Sequence, residues 1–124
     1  MGSRADENNS PLSIGMHLYD SKNYDSAIFH LNRVKGDPIG QLYLGICYLA
    51  INNTKEANGI FEHIIVGKES SILSEYANWF LALSYLKENN YPAAEEKLNI
   101  IIEESSSEYY HNALQLLEAI NELK

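Results

Sequence analysis

The chain has 124 residues, 45% apolar and 21% charged, which suits one globular domain able to bury a core without metal or disulfide support. Its formal net charge of −8 argues against nucleic acid as a partner, because binding to a phosphate backbone rests on Lys and Arg displacing counterions. Cys47 stands alone, so a disulfide or cysteine zinc site within the chain is excluded, and no apolar run is long enough to read as a membrane span.

Residues 1–10 are polar and aperiodic and read as a flexible lead, with Met1-Gly2-Ser3-Arg4 resembling a cloning scar. No signal-peptide pattern precedes the fold, so the expected compartment is the cytoplasm. The alternative is a soluble extracytoplasmic domain of a membrane-anchored protein, should the natural chain continue upstream. From Pro11 onward, Leu12, Ile14, Met16, Leu18 and Tyr19 predict a short helix ending at Ser21-Lys22-Asn23. Asn23 is placed to cap a second helix carrying Ala27, Ile28, Leu31 and Val34, which Gly36-Asp37-Pro38 stops.

The next pair is predicted over Ile39 to Ile51 and from Thr54, a candidate cap, to Gly67. A Ser-rich link leads to a third pair, Leu73 to Lys87 and Tyr91 to Glu104, with Pro92 in a first helical turn where its missing N–H costs nothing. Ser105 and Glu108 have capping-box spacing ahead of a last helix striped with Leu114, Leu117 and Ile120. The prediction is therefore all-α: pairs at about 11–36, 38–67 and 71–104 within a single domain, then a capping helix at about 107–123, seven helices in all.

The three pairs align with one another. Asn23 to Leu31 lies over Asn53 to Phe61 and over Asn90 to Leu98, which superposes Ala27, Ala57 and Ala94. Twelve residues before each alanine stands a small residue, Gly15, Gly45 or Ala82. Ile14, Leu44 or Leu81 comes immediately ahead of it, and Leu18, Tyr48 or Tyr85 three residues after. The pattern resembles the tetratricopeptide repeat, whose signature is W-x2-L-G-x2-Y, then A-x3-F, then P, at a period of 34. The fullest match is Leu44-Gly45, Tyr48, Ala57 and Phe61. Successive copies here are offset by 30 and 37 residues, and Pro11, Gln41 and Asn78 stand where the leading aromatic is expected, with Trp79 one residue late. The resemblance implies a right-handed α-solenoid of three antiparallel helix pairs and a capping helix, acting as a protein-protein interaction scaffold.

Independently of the family, the small residues remove bulk where two helix backbones approach. Counting three before, one after and four after each small residue gives Leu12, Met16 and Tyr19; Leu42, Ile46 and Leu49; and Trp79, Leu83 and Leu86. Counted from Ala113 in the last helix, the same offsets give Tyr110, Leu114 and Leu117. All twelve are apolar or aromatic, a second face distinct from the one facing the partner helix.

By the resemblance, this face lines a peptide groove. Its candidate residues are Met16, Tyr19, Leu42, Ile46, Leu49, Trp79, Leu83, Leu86 and Tyr110, and its occupant is an apolar or amphipathic segment of another protein. An acidic peptide would meet no cation there, since Leu12, Met16, Tyr43, Ala77 and Phe80 occupy the relevant region. The alternative is self-association, a homodimer or the chain's own N-terminal lead covering the groove.

An enzyme finds little support. His17, His30, His63 and His111 lie on four predicted helices without metal-ligand spacing, no nucleophile-elbow or phosphate-loop pattern occurs, and Cys47 sits in an apolar run as a core thiol. No catalytic residue, cofactor, metal or direct membrane contact is expected.

Overall fold

The computed structural model describes residues 10–34, 36–68, 70–104 and 106–124. Among them the secondary structure is helical throughout: α1 (Pro11–Asp20), α2 (Tyr24–Leu31), α3 (Pro38–Ala50), α4 (Thr54–Gly67), α5 (Ser71–Lys87), α6 (Tyr91–Ile102) and α7 (Tyr110–Leu123), with a 3-10 turn at Asn32–Val34. No strand is present among these residues, and no helix is long and apolar enough to cross a membrane.

Short polar side chains set most of the helix starts by accepting from backbone N–H groups that have no partner within the helix. Ser10 Oγ accepts from Ser13 N at 3.1 Å ahead of Pro11, and Asp37 Oδ1 accepts from Ile39 N at 2.9 Å ahead of Pro38. Ser70 Oγ accepts from Leu73 N at 3.2 Å, which starts α5 two residues before the predicted Leu73. Two predicted caps differ. Asn23 makes no side-chain cap bond, and Thr54 is the first residue of α4 rather than its cap, a role taken by Asn53, whose Oδ1 accepts from Glu56 N at 3.4 Å. The last helix begins at Tyr110, later than the predicted 107, because Ser107 Oγ accepts from Tyr109 N at 3.1 Å and holds a turn there. Ser105 of the expected capping box lies outside the described residues.

Three of the turns share one hydrogen-bond pattern. After α1, α3 and α5 the chain passes through a left-handed residue, Lys22 (φ 66°), Asn52 (φ 66°) and Asn89 (φ 60°). The next N–H reaches back to the helix: Asn23 to Leu18 O at 2.8 Å, Asn53 to Tyr48 O at 2.8 Å and Asn90 to Tyr85 O at 2.9 Å. With the companion bonds from Lys22 to Tyr19 O, Asn52 to Leu49 O and Asn89 to Leu86 O, each turn is a Schellman motif that satisfies the last carbonyls of its helix.

The chain divides into two compact units, one ending at Ile60 and the other comprising Phe61–Lys124, with the division inside α4. In the first, α2 packs on α1 and on α3 around buried Ala27, Leu31, Leu44 and Cys47, with Leu12, Leu18, Val34 and Ile60 against them. Gly15 permits the close approach of α1 to α2: a Cβ there would lie 2.6 Å from Leu31 Cγ. In the second, α6 packs on α5 and on α7 around Ala82, Ala94, Leu98, Ile101, Ala113 and Ile120. Phe61, fully buried, stacks on Phe80 with ring centroids 6.0 Å apart.

Candidate functional site

Five of the nine predicted groove residues belong to the first unit. Met16 and Tyr19 are half-buried on α1, as is Ile46 on α3, whereas Leu42 and Leu49 keep only 7% and 6% of their surface. The Tyr19 ring meets Tyr43 edge-on at 5.1 Å and Tyr24 at 6.1 Å. Burial, and then the neighbouring phenols of Tyr24 and Tyr43, push the Tyr19 hydroxyl pKa up.

The other four lie in the second unit. Trp79, Leu83 and Leu86 are half-buried on α5 and Tyr110 on α7. Trp79 and Leu86 pack against the core of this unit, and the indole stacks on Tyr109 at 4.8 Å with planes 7° apart. Tyr110 instead turns its ring to His111. Tyr109 was missed because it precedes the first turn of α7, where helical spacing counted back from Ala113 no longer applies.

Two further features of the second unit were not read from the sequence. Tyr109 also meets Tyr76 edge-on at 5.7 Å, and Tyr76 donates to Glu108 Oε1 at 3.1 Å. That bond raises the Tyr76 pKa. Glu108 N in turn donates to Glu75 Oε1 at 3.1 Å, so a carboxylate of α5 holds the segment entering α7.

Beside this contact lies a half-open cleft of about 590 Å³, whose walls include Ile65, Ser74, Glu75, Asn78, Glu104 and Ser107. Asn78 is only 7% exposed, and its Oδ1 has no hydrogen-bond partner. A buried polar atom left in that state costs about 1–3 kcal/mol. The sequence signal was the polar set Ser71, Ser74, Glu75 and Asn78, which recurs at helical spacing along the start of α5.

Elsewhere in the second unit, Glu62 Oε1 accepts from Tyr85 OH at 3.3 Å and lies 4.0 Å from Lys97 Nζ. Burial first, then the charge of Glu62, raises the Tyr85 pKa. In the first unit burial pushes the Cys47 thiol up to about 11, so it stays protonated and unreactive near neutrality. Among the described residues no group of three or more His, Cys, Asp or Glu side chains could hold a metal ion. Comparison with protein-family models, with curated proteins and with solved structures found no match.

Proposed function

We propose that the helix pairs are tetratricopeptide-like repeats and that the chain is a scaffold for binding other polypeptide. The observation that carries this reading is the Schellman turn at Lys22, Asn52 and Asn89, whose offsets of 30 and 37 residues match those of the sequence repeat. Helix pairs joined by equivalent turns present equivalent faces, and the face left over after pair packing is apolar in every copy. Its half-buried members, Met16, Tyr19 and Ile46 in the first unit and Trp79, Leu83, Leu86 and Tyr110 in the second, are offered to an apolar or amphipathic segment of a partner.

Affinity capture with wild type beside Ile46→Ser and Trp79→Ala tests this, with a thermal melt of each variant as the control for folding. Loss of the same captured proteins from both folded variants is the expected result. Equal capture by all three chains would refute it. Self-association is the second reading, favoured by Phe29, Val66, Ile72 and Leu123, large apolar side chains that stand exposed. A monomer by light scattering at high concentration would remove it.

A further inference from the structure

The half-buried face of the second unit ends on two carboxylates that have no cation. Tyr76, Trp79, Leu83 and Leu86 follow one another at intervals of three, four and three residues and make one stripe along α5. At the N-terminal end of that stripe the contacts are continuous. Trp79 stacks on Tyr109 at 4.8 Å, Tyr109 meets Tyr76 at 5.7 Å, Tyr76 donates to Glu108 Oε1 at 3.1 Å, and Glu75 Oε1 accepts from Glu108 N at 3.1 Å. Each of the three rings keeps part of its surface open, and Glu108 is exposed. Neither Glu75 nor Glu108 forms an ion pair among the described residues.

Building on the scaffold reading, we propose that this face receives a basic amphipathic segment of another protein, with apolar anchors on Leu83 and Leu86 and an arginine at the end formed by Glu75 and Glu108. A guanidinium fits that end because its flat fork pairs with carboxylate oxygens and its plane packs on aromatic rings.

The charge of the whole unit has the same sign, with four basic against eleven acidic side chains. Two of the four bases are engaged elsewhere, Lys97 at 4.0 Å from Glu62 and Lys124 at 2.8 Å from Glu95. Lys87 lies twelve residues along α5 from Glu75, about 18 Å by helical rise and beyond the screening length of about 8 Å. Lys68 borders the cleft that Glu75 also lines, yet no ion pair joins the two among the described residues. A basic segment is therefore drawn to this face and an acidic one repelled.

The other occupants fit less well. A second copy presents the same excess of carboxylates, so pairing the two faces about a two-fold axis sets like charges together. Residues 1–10 hold Arg4 against Asp6 and Glu7 and offer no run of apolar anchors.

The test selects binders of the full chain from a displayed library of helical peptides, with leucines fixed at helical spacing and flanking positions drawn from Arg, Gln and Glu. Enrichment of Arg over Gln, with depletion of Glu, is expected. Trp79 is the only tryptophan of the chain, so its fluorescence reads occupancy of this face by each synthesised winner. The double variant Glu75→Gln with Glu108→Gln keeps an oxygen to accept each existing bond and removes both charges. It should weaken the arginine peptide about fivefold and leave the Arg→Gln version of that peptide unchanged. Leu83→Ser should weaken both peptides alike.

Winners without charge preference, or arginine winners that the double variant binds as tightly as wild type, would overturn the proposal and leave the scaffold reading in place. A dimer in light scattering that Leu83→Ser abolishes would assign the face to a second copy and overturn it. No winners at all, or winners that leave Trp79 fluorescence unchanged, would remove both the basic segment and the groove from this unit.

Discussion

Replacing Gly15 by alanine should destabilise the protein, while the same replacement at Gly59 should stabilise it. Both positions lie inside helices, where exchanging Gly for Ala favours the folded state by about 1 kcal/mol on propensity. At Gly59, on the exposed face of α4, a new Cβ would meet nothing within 4 Å, so that gain should appear undiminished. At Gly15 the Cβ would sit 2.6 Å from Leu31 Cγ and 2.7 Å from Leu31 Cδ2, well inside the carbon contact distance of about 3.5 Å. Leu31 is fully buried and cannot swing into solvent, so α1 and α2 must move apart. Overpacking of this kind costs about 1–3 kcal/mol, which exceeds the propensity gain and leaves Gly15→Ala less stable by about 1 kcal/mol.

In urea the two midpoints should therefore move in opposite directions by about 0.5 M, with unchanged slopes. A double variant sharpens the case. Leu31→Ala alone should cost about 2–5 kcal/mol, and adding Gly15→Ala to it should recover stability, since the new methyl enters vacated space. A Gly15→Ala chain as stable as wild type, or a double variant worse than Leu31→Ala alone, would refute the close crossing of α1 and α2.

Other consequences can be checked with the same purified protein. Ser84 is fully buried with an unpartnered Oγ, so Ser84→Ala should raise stability by about 1 kcal/mol in a thermal melt; a drop would mean the hydroxyl has a partner. Lys22 holds a left-handed conformation that suits glycine, so Lys22→Gly should stabilise by up to about 1 kcal/mol, and Asn52→Gly by less because Asn tolerates that region. The Cys47 thiol, raised by burial from 9.0 to about 11, holds its proton longer in the folded state than in the unfolded one. Its contribution to stability is thus complete below pH 9 and lost as the pH climbs towards 11. An aromatic disulfide reagent at pH 8 should modify Cys47 at least about tenfold faster in urea than in the native protein, and equal rates would contradict its burial.

The parts of the fold that were legible in the sequence are those fixed by neighbours a few residues away. Pro92 in the first turn of α6 and Gly67 at the end of α4 needed only local chemistry, and the alignment of Ala27, Ala57 and Ala94 located all three Asn-bearing turns. Asn23 and Thr54 show the limit: several polar residues stand near each helix start, and which one turns its side chain to the backbone depends on a backbone angle that spacing does not reveal. The stripe was legible as a face but not in depth, since Leu42 and Leu49 are buried while Ile46, between them on α3, is only half covered. The cleft was out of reach because its walls come from α4, α5, α6 and the segment before α7, which only tertiary packing assembles.

The most direct test of the scaffold reading is selection of binders from a random peptide library displayed against the wild-type chain, with Ile46→Ser and Leu83→Ser as counter-selections. The reading predicts enriched peptides with apolar anchors at helical spacing or in an extended run, bound by wild type and lost from both variants while each remains folded by circular dichroism. Enrichment of acidic peptides, or of peptides that both variants bind as well as wild type, would contradict it.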